Sequence, residues 1–543
     1  MTIMPDETAV PVANRSADIS HRRYLVFLVL FGLFSLLFTL GGRSLENKDS
    51  VRFAETSREI LEFNDWTLLR LGGSIYPDKP PLHFWITAGL YKLIGINVLA
   101  ARLAEALATF GGLLLAYFFG RKIFRNSQTA FLAAMMLLSA YGYFFWGRRT
   151  RIDIELAVFF SLSLVCFYCG LDAVARRDKL LWYAGFWLAT GAAVMSKGPV
   201  ALINLAVVIG YGLAVFLGSD ERKVAPGLLA ITSPVLLLPV LPWGLSLWQH
   251  PRFDDFLEVY RQTVIMHRNK PFFNYFYDFP VKLFPVSPFF FLGVWGAFRF
   301  RRQLASYRGL FFALGWVGIY LFTLHLTSGK TARYLLPLYL PVALTAAWAV
   351  MFYLEKYPQT FGRIMHRADR FFFWIAVGSL IIPFAFAYHA KIPLLNALPY
   401  AVVLALALII VRKWLPLKAA GIFVSFVILL LSIEVGDSIS NDKTSDYLRL
   451  SRTLKAQQLA AEQIRFYTCD SESRAAWAVS FYYNRVIGCS NSFNGLVADP
   501  AVRGIVTTRP TVEVENRIAW KPIQQKFRII ACDSRFVILV KPE

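Results

Sequence analysis

The chain has 543 residues, 56% of them hydrophobic, and 57 Lys and Arg against 35 Asp and Glu give a net charge of +22. A mean hydropathy of +0.48 excludes an ordinary soluble globular protein. The apolar runs are continuous over roughly 20 residues, which indicates bilayer-spanning helices and disfavours the alternation of a β-barrel. In such a protein the basic excess belongs to cytoplasmic loops and contact with anionic membrane lipids, so nucleic acid is not an expected partner.

Residues 1 to 20 are polar, and the first apolar span, Tyr24 to Leu40, carries no small-residue cleavage site, so it is expected to stay as a helix. The stretch from Gly41 to Ile94 follows, too long and too polar for a tight turn, and reads as an extracytoplasmic loop lying on the membrane. It contains an expected amphipathic helix, Ser50 to Phe63, with Asp49 placed to cap it. Farther on, Asp78-Lys79-Pro80-Pro81 reads as a cap followed by proline in a first helical turn, with Asp78 and Lys79 held at the loop tip.

About 13 spans are predicted, beginning near Tyr24, Val98, Gln128, Asp153, Leu180, Pro199, Pro226, Ser287, Gly309, Arg333, Phe371, Pro393 and Lys418. Alternate loops are rich in Lys and Arg, for example Arg121, Lys122 and Arg125, then Arg299, Arg301 and Arg302, and these are expected in the cytoplasm with the N-terminus. An odd number of spans then puts the C-terminus outside. The outer face has a second long loop, Trp248 to Pro285, and short ones near Arg148, Lys197, Lys330 and Lys391.

From residue 439 the composition changes to a polar helix, Ser445 to Ala461, followed by short β-rich runs and a helix-like segment, Arg474 to Tyr483. The expected division is a membrane domain over 1–438 and a small extracytoplasmic α/β domain over 439–543. Cys166 and Cys169 lie in an apolar span as packing residues. Of Cys469, Cys489 and Cys532, two are expected to pair if that domain faces an oxidising compartment, and the sequence does not choose which.

Ionisable residues avoid the middles of the spans and gather at their outer ends: Arg102, Glu105, Arg151, Asp153, Lys197, Lys330 and Arg333. Charge at a membrane rim is costly and marks function. Arg148, Arg149 and Arg151 crowd one short outer loop against the positive-inside preference, and either an anionic ligand or pairing with lipid phosphate, Asp153 or Glu155 accounts for them. His267, flanked by Arg268 and Lys270, suits phosphate or metal binding. No Walker A loop, GxSxG elbow, HExxH or CxxC occurs, which argues against ATP-driven, serine-hydrolase and zincin chemistry and against a nucleotide cofactor.

These pieces in order resemble the GT-C-type polyprenyl-phosphate-dependent glycosyltransferases, in particular the bacterial lipid A aminoarabinose transferases and their protein O-mannosyltransferase relatives. The matching elements are Asp49-Ser50-Val51-Arg52-Phe53-Ala54-Glu55, Tyr76-Pro77-Asp78-Lys79-Pro80-Pro81-Leu82-His83-Phe84-Trp85, Asp153, Ser196-Lys197-Gly198-Pro199, His267-Arg268-Asn269-Lys270-Pro271, and Gly329-Lys330-Thr331-Ala332-Arg333-Tyr334. Ser50, Asp78 and Lys270 depart from the family pattern, where a second acid, Glu and Arg stand. The resemblance implies an all-α polytopic membrane protein of about 13 helices with a C-terminal periplasmic α/β domain, in the bacterial inner membrane.

It further implies an enzyme moving a sugar, 4-amino-4-deoxy-L-arabinose, from undecaprenyl phosphate to lipid A on the periplasmic face. Transfer of a hexose, galactosamine or mannose to lipid A, core oligosaccharide or protein is the alternative, and transport of a lipid-linked sugar is a further one. The carboxylates expected at the reacting centre are Asp49 and Asp153. Lys79, Lys197, Lys270, Lys330, Arg333 and Tyr334 are expected to hold the lipid phosphate. Asp78 and His267 are the pair to hold a divalent metal, if one is bound.

Overall fold

A computed structural model describes residues 21–45, 48–217, 224–264, 274–304, 308–326, 331–444, 446–467, 469–490, 492–508, 527–531 and 536–541. The first helix, α1 (His21–Leu37), leads out of the apolar bundle into α2 (Lys48–Glu62). The amphipathic helix expected here therefore begins slightly earlier and takes Asp49 into its own first turn, where the side chain is not the cap. A two-residue hairpin follows, β1 (Arg70–Leu71) against β2 (Ser74–Ile75). Gly72 and Gly73 close it at φ of 63° and 77°, a backbone that glycine adopts without steric cost.

Helix α3 (Leu82–Ile94) starts only after the two prolines, with Pro81 at its cap position. Asp78 is thus not a helix cap, contrary to the sequence expectation. Its carboxylate takes the Lys79 ammonium and the Tyr76 hydroxyl instead.

The bundle continues with α4 (Val98–Phe124), α5 (Ser127–Ser139), α6 (Tyr141–Trp146), α7 (Asp153–Asp172) and α8 (Arg176–Lys197). Asn97 and Asn126 cap α4 and α5 by accepting from backbone N–H groups of the first turn. Next come α9 (Ile203–Leu217), α10 (Pro226–Ile231), α11 (Leu237–Trp248), α12 (Phe253–Val264), α13 (Asn274–Lys282) and α14 (Ser287–Arg299). The last long helices are α15 (Arg308–His325), α16 (Tyr339–Lys356), α17 (Pro358–Ser379), α18 (Ile382–His389), α19 (Leu398–Trp414) and α20 (Gly421–Thr444).

Among the described residues eight helical stretches are long and apolar enough to cross a membrane, and the bent pair α13–α14 makes nine if counted as one span. The other predicted spans correspond to α1, α5, α8 and α9. Of these, α5 has 13 residues, short of a full crossing by length.

Helix α20 runs to Thr444, past the expected boundary at 439. Beyond it lie α21 (Asp446–Ala456), β3 (Ile464–Tyr467), α22 (Cys469–Tyr483), β4 (Gly488–Ser490), α23 (Phe493–Ala498), β5 (Gly504–Thr508), β6 (Arg528–Ala531) and β7 (Phe536–Val540). Five strands form a mixed sheet in the order β4-β3-β5-β7-β6, with β3 parallel to both neighbours and β7 antiparallel to both of its own. Cys489 is exposed and free, and Cys532 lies outside the described residues.

The α/β part does not stand apart from the first loop. Leu45, Val51, Ala54 and Tyr91 share one buried cluster with Tyr447, Leu450, Ala478 and Phe481. Apolar burial of this kind, at about 1.5–3 kcal/mol per large side chain, fixes α2 and α3 against α22. The loop and the C-terminal domain therefore lie on the same side of the bundle.

Candidate active site

Three separate stretches meet at one rim of the bundle. Phe53 of α2, Phe84 of α3 and Ile152, just before α7, belong to one buried cluster. That packing brings Asp49, at the start of α2, to Asp153, at the start of α7. The residues just before α16 add Arg333 and Tyr334, and the last residue of α8 is Lys197.

The side chains form one continuous polar network. Asp49 accepts from Arg52 Nη2 at 2.9 Å, from Arg151 Nη2 at 2.6 Å and from Arg333 Nη1 at 2.9 Å. Asp153 pairs with Lys197 and has Arg151 Nε at 3.5 Å and Arg333 Nε at 3.7 Å. The Lys197 ammonium lies 4.3 Å from the centre of the Tyr334 ring. At the other end Arg52 reaches Asp78 Oδ2 at 3.5 Å, and Lys79 Nζ donates to Asp78 Oδ1 at 2.8 Å.

Five cations, Arg52, Lys79, Arg151, Lys197 and Arg333, thus surround three carboxylates, and the site carries an excess of positive charge. Burial pushes the Asp49 carboxyl up, but the guanidiniums of Arg151, Arg52 and Arg333 outweigh it and hold it below its ordinary 3.8. Asp78 behaves likewise: burial raises it, and Lys79 followed by Arg52 brings it below the usual range. Asp49 and Asp78 are accordingly anionic at neutral pH.

The three arginines of the short loop before α7 have three different jobs. Arg148 is 2% exposed and donates to the carbonyls of Ser35, Leu36 and Phe38, satisfying the open C-terminal end of α1. Arg149 makes a two-pronged bond to Glu434 of α20 at 2.7 and 2.9 Å. Only Arg151 reaches the site, with its guanidinium 4.6 Å from the Trp146 ring. Glu155 pairs with none of them and faces His83 at 3.1 Å.

Of the residues expected from sequence, Asp49, Lys79, Asp153, Lys197, Arg333 and Tyr334 come together here. Lys270, Lys330 and His267 lie outside the described residues. Asp78, expected with His267 as a metal ligand, accepts from Lys79 and Tyr76 and lies 3.5 Å from Arg52. Sequence reasoning did not assign Arg52 to the site, although it lies one helical turn after Asp49. It also passed over His83, which packs in the interior between Glu105 of α4 and Glu155 of α7.

Residues 78–243 match the profile of the dolichyl-phosphate-mannose-protein mannosyltransferase family. An undecaprenyl phosphate-alpha-4-amino-4-deoxy-L-arabinose arabinosyl transferase 2 of Proteus mirabilis is 28% identical over 344 residues, 62% of this chain and 60% of the relative. One from Pseudomonas fluorescens is 29% identical over 335 residues, 60% and 56% of the two chains. The chain spans about three fifths of the length of the curated relatives it matches.

The crystal structure of ArnT from Cupriavidus metallidurans bound to undecaprenyl phosphate superposes with a TM-score of 0.72 at 20% identity, covering 96% of this chain and 99% of that one. The chain has the ArnT fold. ArnT in the apo state agrees equally, with a TM-score of 0.74 over 96% and 100% of the two chains. The family profile begins at Asp78, so it takes in Lys79, Asp153 and Lys197 but leaves out Asp49 and Arg333, which the ArnT fold brings to the same rim.

Proposed function

We propose that the chain is a glycosyltransferase that moves 4-amino-4-deoxy-L-arabinose from undecaprenyl phosphate to lipid A at the periplasmic face of the bacterial inner membrane. The observation that carries this is the surplus of cations over carboxylates around Asp49 and Asp153. Transfer breaks the bond between the anomeric carbon and the carrier phosphate oxygen and forms one to the acceptor oxygen. The departing phosphate monoester gains charge and carries about −1.5 to −2 at pH 7, which is the charge the site is short of. Lys79, Arg333 and Lys197 are fixed donors aimed at that developing charge. An acceptor phosphate on lipid A is already anionic, so Asp49 then orients rather than deprotonates. A hydroxyl acceptor requires it to act as a base.

An apolar depression of about 490 Å³ lined by Tyr141, Val281, Phe284 and Phe426 opens at the start of α6. The six-residue α6 leads from it to the loop bearing Arg151, a distance of about 9 Å at helical rise. Such a surface suits a prenyl tail. Charges at the rim rather than at the midplane favour a transferase over a transporter.

Mass spectrometry of lipid A from cells with and without the protein tests the reading. Aminoarabinose-modified lipid A present only with the protein is the expected result. Unchanged lipid A with a new sugar on core oligosaccharide or protein moves the acceptor elsewhere. A reporter fused after Glu543 is expected to be active only in the periplasm, because the α/β domain packs on the first loop. A cytoplasmic signal overturns the proposed sidedness.

A further inference from the structure

Beneath the site lies a second cluster, built from His83 on α3, Glu105 on α4 and Glu155 on α7. All three are buried, with 0%, 0% and 1% exposure. His83 Nδ1 is hydrogen-bonded to Glu155 Oε1 at 3.1 Å and lies 3.5 Å from Glu105 Oε1. One ligand atom from each residue falls within 4.8 Å of the others. Two ligands about 2.0–2.1 Å from a tetrahedral zinc ion stand about 3.3 Å apart, close to the two separations measured from His83 Nδ1.

The cluster is short of partners. Both oxygens of Glu105, one of Glu155 and Nε2 of His83 have no hydrogen-bond partner among the described residues. Buried carboxylates without partners are costly, and the charge is normally neutralised by a proton or a cation. The nearby cations are committed elsewhere. Arg102, on the same helix as Glu105, donates to the carbonyls of Leu40 and Ser44. Arg151 is held by Asp49 and Asp153, and Lys197 by Asp153.

We propose that His83, Glu105 and Glu155 bind a divalent first-row transition-metal ion of the zinc type. One imidazole and two carboxylates are a donor set that zinc accepts, whereas the imidazole disfavours magnesium and calcium. The ion ties α3 of the first loop to α4 and α7. His83 lies four residues after Lys79, and Glu155 two residues after Asp153, so the ion fixes the spacing of the two halves of the site from below. Its role is positional, and the proposal does not rest on the transferase reading.

The test is metal content of the full-length protein purified in detergent without chelator and supplemented with zinc. About one ion per chain is expected for the wild type. His83→Gln and the double variant Glu105→Gln, Glu155→Gln are expected to lose it, since removing a ligand costs at least the roughly 10–100-fold in affinity that a supporting residue does. Asp78→Asn and His267→Gln are expected to retain it. Two measurements on the wild type stand independently of how the variants fold: chelator lowers the melting temperature, and cobalt exchange gives a visible absorption band. A wild type that binds no zinc and melts unchanged in chelator shows a cluster held by protons and overturns the proposal. So does an ion retained by the double variant, or one lost with Asp78→Asn or His267→Gln alone.

Discussion

Arg333 Nη1 donates to Asp49 Oδ2 at 2.9 Å and joins two residues 284 positions apart. The same guanidinium has its Nε 3.7 Å from Asp153, so one side chain ties together two of the three carboxylates of the site. A lysine has a single ammonium and no fork, and it cannot span both acids. Arg333→Lys is expected to lower transfer about tenfold and Arg333→Met about 10²-fold, measured as kcat with a saturating lipid-linked donor. Equal rates for wild type and Arg333→Met remove Arg333 from the reacting centre.

Asp49 is a member of the network and not a helix cap, so its charge is what matters. Asp49→Asn keeps the shape and a carbonyl acceptor but takes from Arg151 and Arg333 one of their two counter-charges, leaving them Asp153 alone. Transfer is expected to fall about 10²–10³-fold while binding of undecaprenyl phosphate is kept. Wild-type turnover in this variant leaves Asp49 as an ion-pair anchor alone. The folded carboxyl titrates below its ordinary 3.8, so its stabilising effect is complete above that value and is lost as pH falls through the lower, folded one. No activity change near neutral pH is expected from Asp49.

Lys79 and Lys92 offer a matched comparison within one loop. Lys79 is bonded to Asp78 inside the network, whereas Lys92 is exposed and lies 4.8 Å from the Trp66 ring. Lys79→Met is expected to lower turnover about 10²-fold with little effect on prenyl-tail binding. Lys92→Met removes a contact of about 0.5–1 kcal/mol and is expected to leave turnover near wild type. Small and equal effects from the two substitutions remove Lys79 from the residues proposed to hold the lipid phosphate.

Glu59 supplies a pH dependence of the opposite sign. It is 1% exposed and accepts from Gly72 N at 2.5 Å and Gly73 N at 2.9 Å. Burial, aided by Glu55 and opposed by the Gly73 amide, lifts its carboxyl to about 8. The folded chain then holds a proton that the unfolded chain has lost, so stability falls as pH rises from about 4.5 to about 8. Wild type is expected to melt lower at alkaline pH than at pH near 6, with a smaller fall for Glu59→Gln. Identical pH profiles for the two proteins place the proton elsewhere.

The Arg149–Glu434 pair joins the loop before α7 to the last span. Both side chains are largely buried, and removing one leaves an uncompensated charge in an apolar layer. Glu434→Ala is expected to destabilise the protein by about 3–5 kcal/mol, read from thermal melting in detergent. The doubly substituted Arg149→Met, Glu434→Leu protein is expected to recover most of that loss. A double variant as unstable as the single one argues against a charge effect.

Much of this architecture is written locally in the chain. Hydropathy over a window of about 20 residues reports whether a segment can cross a bilayer, and turn residues bound the strands. The helix-like segment Arg474 to Tyr483 falls inside α22, and the loop helix after Asp49 and the rim position of Asp153, Lys197 and Arg333 also fall where sequence places them. Charge is expensive in an apolar setting, so its placement at span ends already marks the site.

Tertiary structure alone decides which charges meet. Arg148, Arg149 and Arg151 are neighbours in sequence with one composition, yet one closes a helix end, one pairs with a span 285 positions away, and one enters the site. His83 looked like part of a proline-led motif until α4 and α7 brought two glutamates to it. The docking of the α/β domain on the first loop is likewise absent from local pattern. Periodicity encodes which face of a segment is apolar. Which segments share that face, and therefore which ions are left to pair, follows only from the packing of the whole chain.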